Sequence, residues 1–240
     1  MNERKYKIFV DFDGTITKKD VGDTLFRHFA KNPEEADAII DKLLSDEITA
    51  KESWLSLCEL VDDITPDKVN DLLFTIEVDD YFKDFYEYAK SINADLYVLS
   101  DGFDYYINYI FDREGIKDIK YFSNKFTFEN NKLVPHFPYY DIELRSSANN
   151  KRNHILTNSS DDDFTIFVGD GNSDKFAAMF CDFIFAKKDL RRYCEIEKIT
   201  YFPFNNFSDV TAKLKLLVDK KNLKKRHQAT LKRREAYLQE

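Results

Sequence analysis

The chain has 240 residues, with 43% hydrophobic and 33% charged side chains, enough apolar material for a packed core, and this excludes a disordered polar chain. Acidic residues (44) outnumber basic ones (36), and the formal net charge of -8 excludes bulk attraction to nucleic acid. An acidic chain can still bind an anion such as phosphate, but only locally, with a metal ion, backbone N–H groups and a few placed cations.

No apolar run approaches the ~20 residues of a membrane helix. The first residues, Met1-Asn2-Glu3-Arg4-Lys5-Tyr6-Lys7, lack the apolar segment of a signal peptide. Cys58, Cys181 and Cys194 show neither disulfide nor zinc spacing, so a reducing cytoplasm and no membrane partner are expected.

Residues 7–12 read as a buried strand built on Ile8, Phe9 and Val10. Residues 17–76 are strand-poor and read as helical, with starts near Asp20, Pro33, Thr49 and Thr65; Thr49 with Glu52 has capping-box spacing. Residues 81–91 read as a helix burying Phe82, Phe85, Tyr86 and Ala89. A second strand covers 95–100, and 121–137 reads as a hairpin turning at Glu129-Asn130-Asn131. Further strands follow at 164–168, 183–186 and 199–202. Leu216, Leu223, Leu231 and Leu238 recur every two helical turns, which predicts one long basic helix over 213–240.

Apolar strands separated by helices indicate a parallel sheet covered on both faces. The expected fold is α/β: a Rossmann-like parallel sheet core over 1–17 and 77–212, a small helical insert over 18–76, and a β-hairpin. No internal repeat or low-complexity linker interrupts it.

Only six glycines occur, and four of them, Gly14, Gly102, Gly169 and Gly171, follow three separate strands. Parallel α/β sheets bind ligands at those strand ends. Gly22 and Gly115 read as local punctuation. The same strand ends carry Asp11-Phe12-Asp13-Gly14-Thr15, Ser100-Asp101-Gly102 and Gly169-Asp170-Gly171-Asn172-Ser173-Asp174. Strand alternation puts Asp11 and Asp13 on one side, and Asp170 arrives from a neighbouring strand. Converging carboxylates repel each other, and a hard cation such as Mg²⁺ relieves this, so Asp11, Asp13 and Asp170 are the expected metal ligands.

With these residues in hand, the chain resembles the haloacid-dehalogenase-like hydrolases, in the phosphoserine-phosphatase-like group. Asp11-Phe12-Asp13-Gly14-Thr15 is similar to the first motif, Val98-Leu99-Ser100 to the second, Lys151 to the third-motif lysine, and Gly169-Asp170-Gly171-Asn172-Ser173-Asp174 to the fourth. The helical insert lies where that group carries its cap. Finer details resemble the 2-hydroxy-3-keto-5-methylthiopentenyl-1-phosphate phosphatases and their relatives: Thr15-Ile16-Thr17 followed by Asp20, Ser100-Asp101-Gly102-Phe103-Asp104, and Asn150-Lys151-Arg152-Asn153-His154-Ile155. One departure is Ser146-Ser147-Ala148-Asn149-Asn150, where such proteins often carry cysteines before the lysine.

The resemblance implies Mg²⁺-dependent hydrolysis of a small phosphomonoester metabolite through an aspartyl-phosphate. It makes Asp11 the nucleophile and Asp13 the general acid, then base. Ser100, the backbone of Asp101 or Gly102, Lys151 and Asn172 are the expected phosphate or substrate contacts. Thr15 and Asp174 support the carboxylates and Lys151. Asp20 stands where phosphoserine phosphatases place an acidic residue against the substrate amine. Arg27 is the sole arginine of the insert, which argues against phosphoserine, whose carboxylate calls for a bidentate arginine. Trp54, Phe26, Phe29 and Phe74 are either helix-core residues or the lining of a pocket for a thioether or choline-like group. His28, His136, His154 and His227 are dispersed, as surface or structural histidines are. A phosphate-binding protein without turnover and a phosphoacceptor are the competing classes; pure binding would not need Asp13.

Overall fold

The structure, a computed structural model, describes residues 4–145 and 147–239. Ser146, the first residue of the departure before Lys151, lies outside them. In chain order the elements are β1 (Tyr6–Asp11), a tight turn (Phe12–Ile16), α1 (Val21–Phe29), α2 (Pro33–Leu44), α3 (Ala50–Glu59), α4 (Pro66–Phe74) and α5 (Phe82–Ser91). There follow β2 (Asp95–Phe103), α6 (Asp104–Glu114), β3 (Lys120–Glu129), β4 (Lys132–His136), α7 (Lys151–Asn158) and β5 (Phe164–Gly169). After a turn at Asn172–Asp174 come α8 (Lys175–Ala178), β6 (Phe183–Ala186), α9 (Lys188–Ile196), β7 (Phe202–Pro203), α10 (Phe207–Val218) and α11 (His227–Gln239).

The chain divides into two compact units. The first comprises Met1–Ile16, Val78–Leu99 and Lys151–Glu240, and the second Thr17–Glu77 and Ser100–Asn150. In the first, parallel strands lie in the order β2-β1-β5-β6-β7. Ile8, Phe9 and Val10 are all fully buried although they point alternately to opposite faces, as a sheet covered on both sides requires. Register aligns Asp11 with Leu99, Val10 with Val168, and Gly169 with Ala186, so the carboxyl ends of four strands lie along one edge.

In the second unit, α1 to α4 start where the sequence places them. Asp20, Thr49 and Thr65 accept from the backbone N–H groups of Asp23, Glu52 and Lys68, and Pro33 opens α2. Thr49 and Glu52 make a reciprocal capping box. The hairpin β3–β4 turns through Asn130 (φ 51°) and Asn131 (φ 58°), the left-handed pair that suits a right-handed strand twist. Arg113 of α6 donates to the carbonyls of Leu73, Phe74 and Ile76, which satisfies the end of α4. The Ile64 N–H donates to the Asn131 carbonyl at 2.9 Å. These bonds draw the hairpin segment into the same unit as the helical insert.

Three expectations need correction. The strand over 199–202 is only the two-residue β7. The single C-terminal helix is two helices broken between 219 and 226, and Leu216, Leu231 and Leu238 are exposed. The buried faces are instead Phe207, Val210, Leu214 and Leu217 on α10, and Ala229, Arg233 and Ala236 on α11. A buried arginine is invisible to a search for apolar periodicity. Gly22 is not mere punctuation: a Cβ there would lie 2.6 Å from the Trp54 ring, so the indole packs directly on the first turn of α1.

Candidate active site

β1 ends at Asp11, and the chain turns sharply through Gly14 at φ 74°. A Cβ at Gly14 would meet Asp170 Oδ2 at 2.6 Å, so the turn needs glycine for both conformation and space. One residue on, Thr15 Oγ1 donates to Asp170 Oδ1 at 3.0 Å. The turn from β1 and the end of β5 are thereby tied together.

Lys151, at the start of α7, is buried with its ammonium among three acceptors: Asp11 Oδ1 at 2.5 Å, Asp174 Oδ1 at 2.7 Å and Ser173 Oγ at 3.0 Å. An ammonium has three N–H bonds, and each finds a partner. Asp174 is held in turn, because its Oδ2 accepts the backbone N–H groups of Asp170 and Gly171, both at 3.0 Å. Gly169 makes room for it, since a Cβ there would come within 2.4 Å of that oxygen.

Burial pushes the Asp11 carboxyl well above the ordinary carboxylate range. Asp174 adds to this, Lys151 offsets part of it, and Asp170 raises it further. Asp174 is raised for the same leading reason, burial. Burial alone would lower Lys151, but Asp11 and Asp174 reverse it and hold the amine above its ordinary value. Three carboxylates gathered here meet two ammoniums, Lys151 and Lys188, which offset the negative charge only in part.

Asp11, Asp170 and Asp174 each offer an oxygen, all within 4.8 Å of one another. Hard oxygen donors at this spacing suit a hard divalent cation. The cluster of carboxylates includes Asp174, where alternation along a strand points to Asp13. The reason is local: β1 stops at Asp11, so strand alternation no longer governs position 13.

In the second unit, Gly102 N–H donates to Ser100 Oγ at 2.9 Å. That N–H is therefore engaged with Ser100. Asp101 Oδ1 accepts from Asn149 N–H at 2.6 Å and Ser147 Oγ at 3.2 Å. Asn149 Nδ2 donates to the carbonyls of Ser100 and Phe122. The Asp101 side chain thus fixes the segment leading to Lys151. Asp20 caps α1 through Asp23 N–H at 2.8 Å. Asn172 sits in the exposed turn after β5. Trp54 packs on Phe26 and Phe103, whereas Phe74 is exposed.

No family model matches the chain. The 2-hydroxy-3-keto-5-methylthiopentenyl-1-phosphate phosphatase of Bacillus cereus (strain B4264) is 32% identical over 218 residues, 90% of this chain and 98% of that protein. The protein of the same name from Bacillus mycoides (strain KBAB4) is 32% identical over the same length and shares. The chain belongs to this family of haloacid-dehalogenase-like phosphatases. Among solved structures, the phospho-aspartyl intermediate analogue of phosphoserine phosphatase matches with a TM-score of 0.67 and 21% identity, covering 89% of this chain and 99% of that one. At that identity the likeness is one of fold.

Three residues of this haloacid-dehalogenase-like phosphatase escape the sequence reading. Ser173 accepts from Lys151, Asn149 pins the strand end before it, and Lys188 Nζ donates to Asp170 Oδ2 at 2.7 Å. A signal for Lys188 exists: Lys187 and Lys188 follow β6 as Asp170 follows β5. A search for acids and glycines at strand ends passes over it.

Proposed function

We propose that the chain is a Mg²⁺-dependent phosphatase that hydrolyses a small phosphomonoester through an aspartyl-phosphate on Asp11. The observation that carries this reading is the buried Lys151 ammonium shared between Asp11 and Asp174, in a cluster with Asp170. Lysine neutralises only part of three carboxylates, and their oxygens fit a hard ion. Asp11, Asp170 and Asp174 are the side chains available to hold Mg²⁺, which when bound offsets the negative charge of carboxylate and phosphate.

In this mechanism one Asp11 carboxylate oxygen attacks phosphorus, and the bond from phosphorus to the ester oxygen breaks. Asp13, protonated, gives its proton to the departing alkoxide. Asp13 as carboxylate then takes a proton from water, whose oxygen attacks phosphorus and releases Asp11 and inorganic phosphate. Lys151 holds Asp11 in position and supplies fixed positive charge. Ser100, the residue after the register partner of Asp11, donates its hydroxyl to a phosphate oxygen. Thr15 orients Asp170, and Asp174 orients Lys151.

Residues 18–76 serve as a cap that limits the substrate to small metabolites. The relatives' name points to an enol phosphate with a methylthio tail, and we extend that substrate class to this chain. Half-buried Trp54, held against Phe26 and Phe103, offers an aromatic surface for a thioether. Phosphoserine is disfavoured because its carboxylate calls for a bidentate arginine, and the insert's sole arginine, Arg27, is an exposed residue of α1 paired with Asp37 at 2.6 Å.

The test is hydrolysis of a panel of small phosphate esters, including the methylthio enol phosphate, phosphoserine and phosphocholine, with Mg²⁺ or EDTA. Asp11→Asn is expected to abolish turnover while leaving the fold intact. Undiminished hydrolysis by that variant ends the nucleophile assignment.

A further inference from the structure

Lys188 opens α9 directly beyond the carboxyl end of β6, with its backbone at φ 45°. That left-handed conformation is unusual for a side chain of this type, and strain of this sort persists where surrounding bonds over-determine it. Here Lys187 N–H donates to the Gly169 carbonyl at 3.2 Å and Leu190 N–H to the Asp170 carbonyl at 2.9 Å, so the start of α9 is docked on the end of β5. The result delivers the Lys188 ammonium to Asp170 Oδ2 at 2.7 Å and to the Gly14 carbonyl at 3.4 Å. Thr15 occupies the other oxygen of Asp170. The Asp170 side chain is 8% exposed and that of Lys188 55%, so a buried carboxylate holds an ammonium that reaches in from solvent.

We propose that Lys188 is a tethered cation that Asp170 exchanges for the divalent ion, and that the displaced ammonium then binds the phosphoryl group of the substrate. The proposal rests on the phosphatase reading, in which Asp170 holds Mg²⁺. A divalent ion on Asp170 repels the ammonium, and the nearest incoming anion is the phosphate. Lysine suits the task better than arginine, being a compact charge on a flexible stem with no fixed fork to align. Lys188 therefore acts in opposite directions on the two ligands: it competes with Mg²⁺ alone and assists phosphate once Mg²⁺ is bound.

Calorimetric titration of the full chain reads both effects without turnover. Wild type, Lys188→Met and Lys188→Asn are titrated with MgCl₂ alone, then with inorganic phosphate in saturating Mg²⁺. Asparagine tolerates positive φ, so it guards against a variant that fails to fold. Removing the charge is expected to tighten Mg²⁺ binding roughly five- to tenfold and to weaken phosphate binding by a similar factor. A merely structural lysine would weaken both. Mg²⁺ affinity that is unchanged or weaker in both variants overturns the proposal, as does unchanged phosphate affinity. Wild type that binds neither ligand overturns the phosphatase reading itself, whereas variants indistinguishable from a competent wild type overturn only the role of Lys188.

Discussion

Lys151 shows how little a single residue announces. In a chain with 36 lysines and arginines it is one basic residue before a helical segment. Its meaning comes from three acceptors contributed by the end of β1 and the turn after β5. His154, one turn further along α7, is also buried, and burial lowers its pKa to about 4. The ordinary histidine value is near 6.5, so below that pH the unfolded chain takes up a proton that the folded chain refuses. Stability is thus full above about pH 6.5 and falls as pH drops toward 4, by on the order of 3 kcal/mol. Melting temperatures measured from pH 7.5 to 4 should fall more steeply in wild type than in His154→Gln. Parallel curves would rule out His154 as a source of the acid sensitivity.

At the scale of elements, α11 owes its position to polar bonds. Arg233, only 1% exposed, donates to the Phe180 carbonyl at 2.6 Å and Thr165 Oγ1 at 3.1 Å, and pairs with Asp182 at 3.4 Å. Asp182 Oδ2 also accepts from the backbone and hydroxyl of Thr165, so α11 is tied to the start of β5. Arg226 donates from its side chain to the Ala178 and Met179 carbonyls and from its backbone to Asp182, and this fixes where α11 begins. Arg233→Ala leaves the buried Asp182 without its charged partner and is expected to cost about 3–5 kcal/mol in urea unfolding. A loss below about 1 kcal/mol would show that the pair contributes little to docking. The starts of α1 to α4 were legible in the sequence because caps are local chemistry. The break before α11 was not, because its cause lies some 40 residues or more away along the chain, at Asp182.

For the whole molecule, the proposed Mg²⁺ site implies that folding and metal binding form one linked equilibrium. A ligand that binds only the folded state at a hundred times its Kd adds about 2.7 kcal/mol. Mg²⁺ should therefore raise the melting temperature of wild type, and EDTA should reverse the rise. Asp170→Asn removes one of three repelling carboxylates, so without Mg²⁺ it should melt no lower than wild type, and Mg²⁺ should no longer raise it. A variant that still responds to Mg²⁺ as wild type does would remove Asp170 from the metal site. Cys58 and Cys181 sit outside such chemistry, since burial pushes both thiols up to about 12.

The sequence by itself determined the parallel strands, the helical starts, the Asn-Asn hairpin and the acidic strand ends, because short apolar runs, caps and turn residues act through neighbours in the chain. Tertiary structure alone decided that Asp174 joins Asp11 and Asp170, that Ser173 accepts from Lys151 and Lys188 pairs with Asp170, and that a buried arginine anchors the last helix. Those outcomes depend on charges meeting across distant segments, where the cost of burial selects partners that no local pattern encodes.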